Sequence, residues 1–254
     1  MIRAGSALWF AGSFVVLAAV VALWQMLSDT GVVPRVFLPG PDRAWAALVA
    51  GFARGDLADL LLATVERMVY GWFLASLAGI ALGVAIGISR LAREYVAPSL
   101  ELVRPVPVSA YVPIVIAFVG LTGDMVLVVI TIGSVWPVLL ATVHGVTSVE
   151  PRLLEVARSL RFGRLQTVWK FALPNAQPDI LAGMRIGLTV ALILAVVGEM
   201  LTSEDGLGHY VLLSARAFRS DEMFAGMILL ALLGLVSNLG LQAAEHRLLR
   251  WRRR

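Results

Sequence analysis

The sequence predicts an all-α integral membrane protein with six transmembrane helices. Composition is the first reason. Of 254 residues, 59% are apolar and 15% charged, whereas a soluble domain carries about 25% charged residues. The second reason is where the charges fall. Ala4–Ser28, Met68–Ser89, Pro105–Gly123, Met125–Val149 and Met223–Ala244 are charge-free runs of 25, 22, 19, 25 and 22 residues. A helix needs about 20 apolar residues to cross the hydrocarbon layer. A sixth apolar run, Ile180–Leu201, is interrupted only by Arg185 and Glu199. The spans are therefore expected at about 8–27, 62–88, 97–120, 124–143, 180–202 and 222–244, in one domain over 1–254, with a polar loop at 144–179.

The first span follows Arg3 as a secretory signal would. Its apolar run is longer than a signal core, and no clear small-x-small cleavage site follows it, so it reads as a retained anchor. In the loop after it, Trp45, Leu48, Val49 and Phe52 fall on one face of a helix that Pro41 would open. That helix either lies in the outer membrane interface or packs on the spans. In the second span Gly71, Ala75, Gly79, Gly83 and Gly87 recur every four residues, as do Gly183, Gly187, Ala191 and Ala195 in the fifth. Small residues at this spacing let helix backbones approach closely in lipid.

The third span opens on RPVPVSAYVPI, where Pro105, Pro107 and Pro113 forbid a regular helix. Irregular backbone at membrane depth survives where it is buried in protein or lines a water-filled cavity. Pro105, Pro107, Tyr111 and Pro113 are therefore candidates for a translocation pathway, against the alternative of kinks without function. Pro137 is expected to bend the fourth span. Glu199, four residues past Ala195, either points at a cavity, as intramembrane carboxylates usually do, or reaches water at the outer end of its span. Asn238, Gln242 and His246 form a polar stripe in the sixth span suited to inter-helix hydrogen bonds.

The loop at 144–179 is unlike the rest of the chain. Leu153, Val156, Ala157 and Leu160 share one helical face, and Gly163 breaks it. Leu165, Val168, Trp169 and Ala172 make a second face that Leu173–Pro174 would end. Two short amphipathic helices of this kind fit either a membrane surface or a groove in a partner.

Lys and Arg favour the cytoplasmic side. With both termini inside, Arg3, Arg90, Arg93, Arg152, Arg158, Arg161, Arg164, Lys170, Arg247, Arg250, Arg252, Arg253 and Arg254 lie inside, thirteen in all. Arg35, Arg43, Arg54, Arg216 and Arg219 lie outside, which makes five. The chain has no cysteine, so disulfides and thiolate chemistry are excluded. No HExxH, GxxxxGK[ST] or GxSxG occurs, so neither a zincin-type metal site, a P-loop nor a serine hydrolase elbow is expected. Nor is nucleic-acid binding, because no basic, aromatic-interleaved surface domain exists.

The insert EVARSLRFGRLQTVWKFALPNAQPDI resembles the EAA loop of bacterial ABC importer permeases. Glu155 and Ala157 match, and Leu173–Pro174 fall at the family's spacing. Val156 replaces the middle alanine, Phe171 the usual isoleucine, and Arg161 stands where the motif glycine is expected, with Gly163 two residues on. RPVPVSAYVPIVIAFVGLTGD, GEMLTSEDGLGHYVLLSARAF and the basic tail resemble the nitrate/sulfonate/taurine branch, and the likeness runs from about residue 37 onward.

The resemblance implies a type I importer (MetI-like) permease fold in a bacterial inner membrane. It implies a transport subunit that is not itself an enzyme and carries no cofactor. Two permease copies, expected as a homodimer in lipid, would sit on a cytoplasmic ATPase dimer. An extracytoplasmic binding protein would deliver a small solute, an anion of the nitrate, sulfonate or taurine kind. The loop would couple to the ATPase through Glu155, Ala157, Leu160, Gly163, Leu165, Trp169, Leu173 and Pro174. The alternatives are a permease for a different small solute or a secondary transporter, although the latter usually shows an internal repeat.

Overall fold

The computed structural model describes residues 2–103 and 105–250. Arg104 lies outside the described residues, as do the tail arginines Arg252, Arg253 and Arg254 that were used above for orientation. Every regular element among the described residues is helical: α1 (Ile2–Asp29), α2 (Pro41–Arg54), α3 (Asp56–Ile88), α4 (Arg90–Val103), α5 (Val112–Val119), α6 (Gly123–Thr147), α7 (Pro151–Ser159), α8 (Arg164–Thr167), α9 (Leu173–Thr202), α10 (Leu207–Arg216) and α11 (Ser220–Leu248). Among the described residues, five helical stretches are long and apolar enough to cross a membrane, those of α1, α3, α6, α8–α9 and α11.

The region expected as the third span is divided rather than continuous. α4 ends at Val103, a 3-10 turn occupies Val108–Ala110, and α5 is eight residues long. The prolines account for this. Pro107 stands in extended backbone just before the 3-10 turn, and Pro113 takes the first turn of α5, where its missing N–H costs nothing. Pro137, by contrast, is carried inside an unbroken α6.

α6 is the axis of the bundle. A Cβ added to Gly79 of α3 would stand 2.9 Å from Val138 Cβ and 3.1 Å from the Leu139 amide. One on Gly183 of α9 would stand 2.6 Å from Ala141 Cβ and 2.7 Å from the Pro137 carbonyl. Both small-residue ladders thus press on α6, where van der Waals contact rather than the hydrophobic effect holds helices together. α3 also touches α9 directly: the Trp72 indole N–H donates to the Met184 carbonyl at 2.9 Å.

α2 packs on the spans, and the expected face splits. Ala44, Leu48 and Gly51 are buried, with Leu48 packed on Leu57, Leu207, Ala225 and Leu229. Trp45, Val49 and Phe52 stay exposed. α1 is held at its C-terminal end. Trp24 donates to the Pro39 carbonyl at 2.9 Å and Ser28 to the Leu38 carbonyl at 3.1 Å, and the Trp24 ring meets Phe224 at 5.4 Å. Asn238, Gln242 and His246 make no side-chain hydrogen bond among the described residues, so the stripe does not knit the helices of this chain.

Candidate functional site

The insert between α6 and α9 is an angular hook. Asn175 fastens its base, donating to the Gly145 carbonyl and the Ser148 hydroxyl, both at 3.1 Å. Pro151 opens α7 at its first turn. At the other end the Phe162 N–H bonds the Ala157 carbonyl at 3.0 Å and the Arg161 N–H bonds the Arg158 carbonyl at 2.9 Å. This pair of bonds is a Schellman ending, whose pivot residue must be left-handed. That residue is Arg161, at φ 54°, in the position where the resemblance expects glycine.

Gly163 therefore does not supply the turn, contrary to the expectation. It sits at φ −68° as the N-cap of α8, its N–H bonded to Gln166 Oε1 at 3.1 Å and its carbonyl to the Thr167 hydroxyl at 3.1 Å. Left-handed backbone costs a residue with a Cβ roughly 1–2 kcal/mol. Arg161→Gly should stabilise the chain by about 1 kcal/mol, and Gly163→Ala, with open space where its Cβ would go, should change stability by less than about 0.5 kcal/mol. Melting of the two variants in detergent checks both; a loss on Arg161→Gly would contradict the turn assignment.

The second correction is at Leu173–Pro174, which do not end the helix. A π turn spans Val168–Ala172, with the Leu173 N–H reaching back to the Val168 carbonyl. The widened turn absorbs the proline, which has no N–H to offer the preceding turn. Arg164–Thr202 is consequently one 39-residue helical stretch, and the insert is mechanically continuous with the fifth span.

Burial sorts the insert's side chains. Ala157, Val168 and Ala172 face inward, and Leu154 and Leu173 pack on the cluster of Val146, Val149, Ala172, Ala176 and Ile180. The inward residue of α7's first turn is thus Leu154, where the pattern pointed to Leu153. Leu153, Val156, Leu160, Leu165 and Trp169 remain exposed, the last two at 71% and 66%. Glu155 is exposed beside them. Lys170 lies 4.5 Å over the Phe162 ring, and Phe162 meets Phe171 at 5.9 Å, which closes the hook on its inner side. A charged hook that presents apolar tips is suited to a groove in a partner or to a membrane surface.

The candidate pathway residues separate into two places. Pro105, Pro107 and Pro113 are exposed on this chain and Tyr111 is half-buried. Val108 and Val112 hold this stretch to the Val115–Met125–Val129 cluster. Glu199 is elsewhere and fully buried. Its Oε2 accepts from the Thr64 hydroxyl at 3.0 Å and the Gly208 N–H at 2.9 Å, and its Oε1 accepts from Arg67 Nη1 at 3.1 Å. Arg67 Nη1 also donates to the Asp205 carbonyl at 2.5 Å, and its Nη2 pairs with Glu204 at 3.4 Å. Thr64 Oγ1 in turn accepts the Leu207 N–H at 2.9 Å. A Cβ on Gly206 would run into the Glu199 carboxylate.

Glu199 is thus the centre of a clamp that ties the 203–208 loop and α10 to α3 and α9. Thr64, Arg67, Gly206 and Gly208 are members that the sequence reading did not select. Arg67 could have been found by asking which cation lies at the depth of Glu199, since a buried carboxylate requires one.

Residues 75–254 match a family model described as binding-protein-dependent transport system inner membrane component. The chain is 33% identical over 236 residues to the putative aliphatic sulfonates transport permease protein SsuC of Bacillus subtilis (strain 168), covering 92% of this chain and 85% of the relative. It is 32% identical over 240 residues to the taurine transport system permease protein TauC of Escherichia coli (strain K12), covering 92% and 87%. Its fold is similar to a chain of the inward-facing MetNI methionine ABC transporter, with a TM-score of 0.66 at 19% identity over 78% of this chain and 96% of that one.

Proposed function

We propose, from the premise that the chain belongs to the family of binding-protein-dependent transport system inner membrane components, that it carries a small sulfonate-type solute inward. As a family member it is the multi-pass permease of an ABC importer, a transport component. In our reading the insert docks into a cytoplasmic ATPase, an extracytoplasmic binding protein meets the opposite face, and two copies of the chain assemble in the lipid. ATP is hydrolysed by the partner. One observation carries the docking: the exposed Leu160, Leu165 and Trp169 stand on a hook that is continuous with a membrane-spanning helix. Pro105, Pro107, Tyr111 and Pro113 remain our candidates for the pathway, whereas Glu199 acts through the clamp that holds the outer loop.

The test is uptake of a labelled alkanesulfonate by proteoliposomes holding the chain with the ATPase and binding protein encoded beside it. Uptake that needs ATP on the insert's side and binding protein on the other supports the reading. Uptake driven by an ion gradient without ATP would make the chain a secondary transporter. Orientation is read separately in intact cells by cysteine labelling, because the chain has no cysteine of its own. Ser203→Cys and Ser159→Cys are both exposed positions. In intact cells an impermeant reagent should label the first and spare the second; labelling of Ser159→Cys from outside would reverse the topology.

A further inference from the structure

The tip of the hook, where α7 turns into α8, carries three arginines, Arg158, Arg161 and Arg164. All three are exposed, and none has an ion-pair partner among the described residues. The hook's other cations are engaged: Arg152 reaches Glu150 at 3.9 Å, and Lys170 lies over the Phe162 ring. Leu160 and Leu165, 60% and 71% exposed, stand among the unpaired guanidiniums.

Arg161 holds the costly place of the three. It is the left-handed pivot of the turn, at φ 54°, a position that suits glycine or, failing that, asparagine. Backbone strain of this kind persists where function uses it. The turn itself does not need an arginine, because its two closing bonds run from the Arg161 and Phe162 N–H groups to the Arg158 and Ala157 carbonyls, backbone to backbone. The hook's net charge does not need one at this position either. Ser159 is exposed at the end of α7, and Gly163 has φ −68° with open space where a Cβ would go. Either could carry an arginine in ordinary backbone. An anionic membrane surface is a diffuse field that counts basic residues whichever neighbouring position holds them. A fixed carboxylate in a protein groove reads one position.

We propose that the Arg161 guanidinium pairs with a carboxylate in the docking groove of the ATPase, so that the partner is recognised by an acidic groove as well as by apolar fit. The planar fork of arginine suits a bidentate hold on a carboxylate, and Arg158 and Arg164 add a field of the same sign around it. The proposal rests on the docking reading above and deepens it by naming the partner's chemistry.

The experiment uses the full chain in phosphatidylcholine nanodiscs, which carry no net lipid charge, and the ATPase encoded beside it. Affinity is measured by surface capture, alongside the unfolding midpoint of each variant. Arg161→Gly should weaken ATPase binding about tenfold or more, while its midpoint stays at or above that of the unaltered chain. Arg161→Asn, which accepts left-handed backbone without the charge, should weaken it equally. Raising salt from about 0.05 M to about 0.5 M should cost the unaltered chain more affinity than it costs either variant. The Arg161→Gly/Ser159→Arg double variant restores the net charge two residues away and should stay weak.

Unchanged affinity in Arg161→Gly overturns the proposal. So does recovery in the double variant, which would mean that net charge rather than one position is read. A loss of affinity accompanied by a lower midpoint overturns it as well, since the turn itself would then have failed. Trp169→Ala separates these outcomes from a failure of docking. If Trp169→Ala weakens binding and Arg161→Gly does not, the ion pair fails alone; if neither does, the docking reading fails with it.

Discussion

Replacing Glu199 by alanine is expected to cost the folded chain about 3–5 kcal/mol, the usual effect of removing one partner of a buried ion pair. The change leaves Arg67 without its buried acceptor and strips two further donors, the Thr64 hydroxyl and the Gly208 N–H, of theirs. The loss should concentrate at that end of the bundle, because those bonds fasten the 203–208 loop. Glu199→Gln keeps the shape and the two neutral donors, so it should cost less. Heating each variant in detergent and measuring what stays monodisperse gives the order wild type, then Gln, then Ala. The Arg67→Gln/Glu199→Gln double variant should fall short of the two single losses added, since residues in one network couple by about 0.5–3 kcal/mol. Strict additivity would mean that the carboxylate and guanidinium do not act together, and a neutral Glu199→Ala would remove the clamp altogether.

Much of the fold is legible before any coordinates are consulted, because lipid is a harsh solvent. Charge-free runs locate helices, since the hydrocarbon tolerates few alternatives. The ladders through Gly79 and Gly183 announce close approach. They do not say that α6 is the common neighbour, because a small residue leaves room without specifying what fills it. The prolines at 105, 107 and 113 mark the break in the third span for the same reason that Pro174 misleads: proline removes an N–H in both places. Near Pro113 the helix restarts around the defect, whereas a π turn carries the helix across Pro174.

The candidate site is less legible. Periodicity put Leu153 inward, but the wall it would face is built by Val146, Ala172 and Ala176, and that wall takes Leu154. Arg161 looks like a surface charge in the sequence, and only its backbone angle shows it to be the pivot. Thr64, Arg67 and Glu199 meet across more than 130 positions of chain, a distance that no local pattern spans.

The central claim is that the hook is the element gripped by an ATPase. Trp169 is its largest exposed apolar side chain, Leu160 stands at the end of α7, and Glu155 lies on the same short helix. None of the three lies in the buried core of the bundle, so Trp169→Ala and Glu155→Ala should leave the chain inserted and melting as before. At an interface, truncating a buried aromatic anchor costs at least ~2 kcal/mol, about thirtyfold in affinity. The measurement is ATPase subunit recovered per permease on detergent purification, together with hydrolysis stimulated by loaded binding protein in liposomes. For Trp169→Ala we expect loss of most of the subunit and of the stimulation, with binding-protein capture on the other face retained. Undiminished recovery and undiminished stimulation in both variants would contradict docking through the hook and make it an element of the membrane surface.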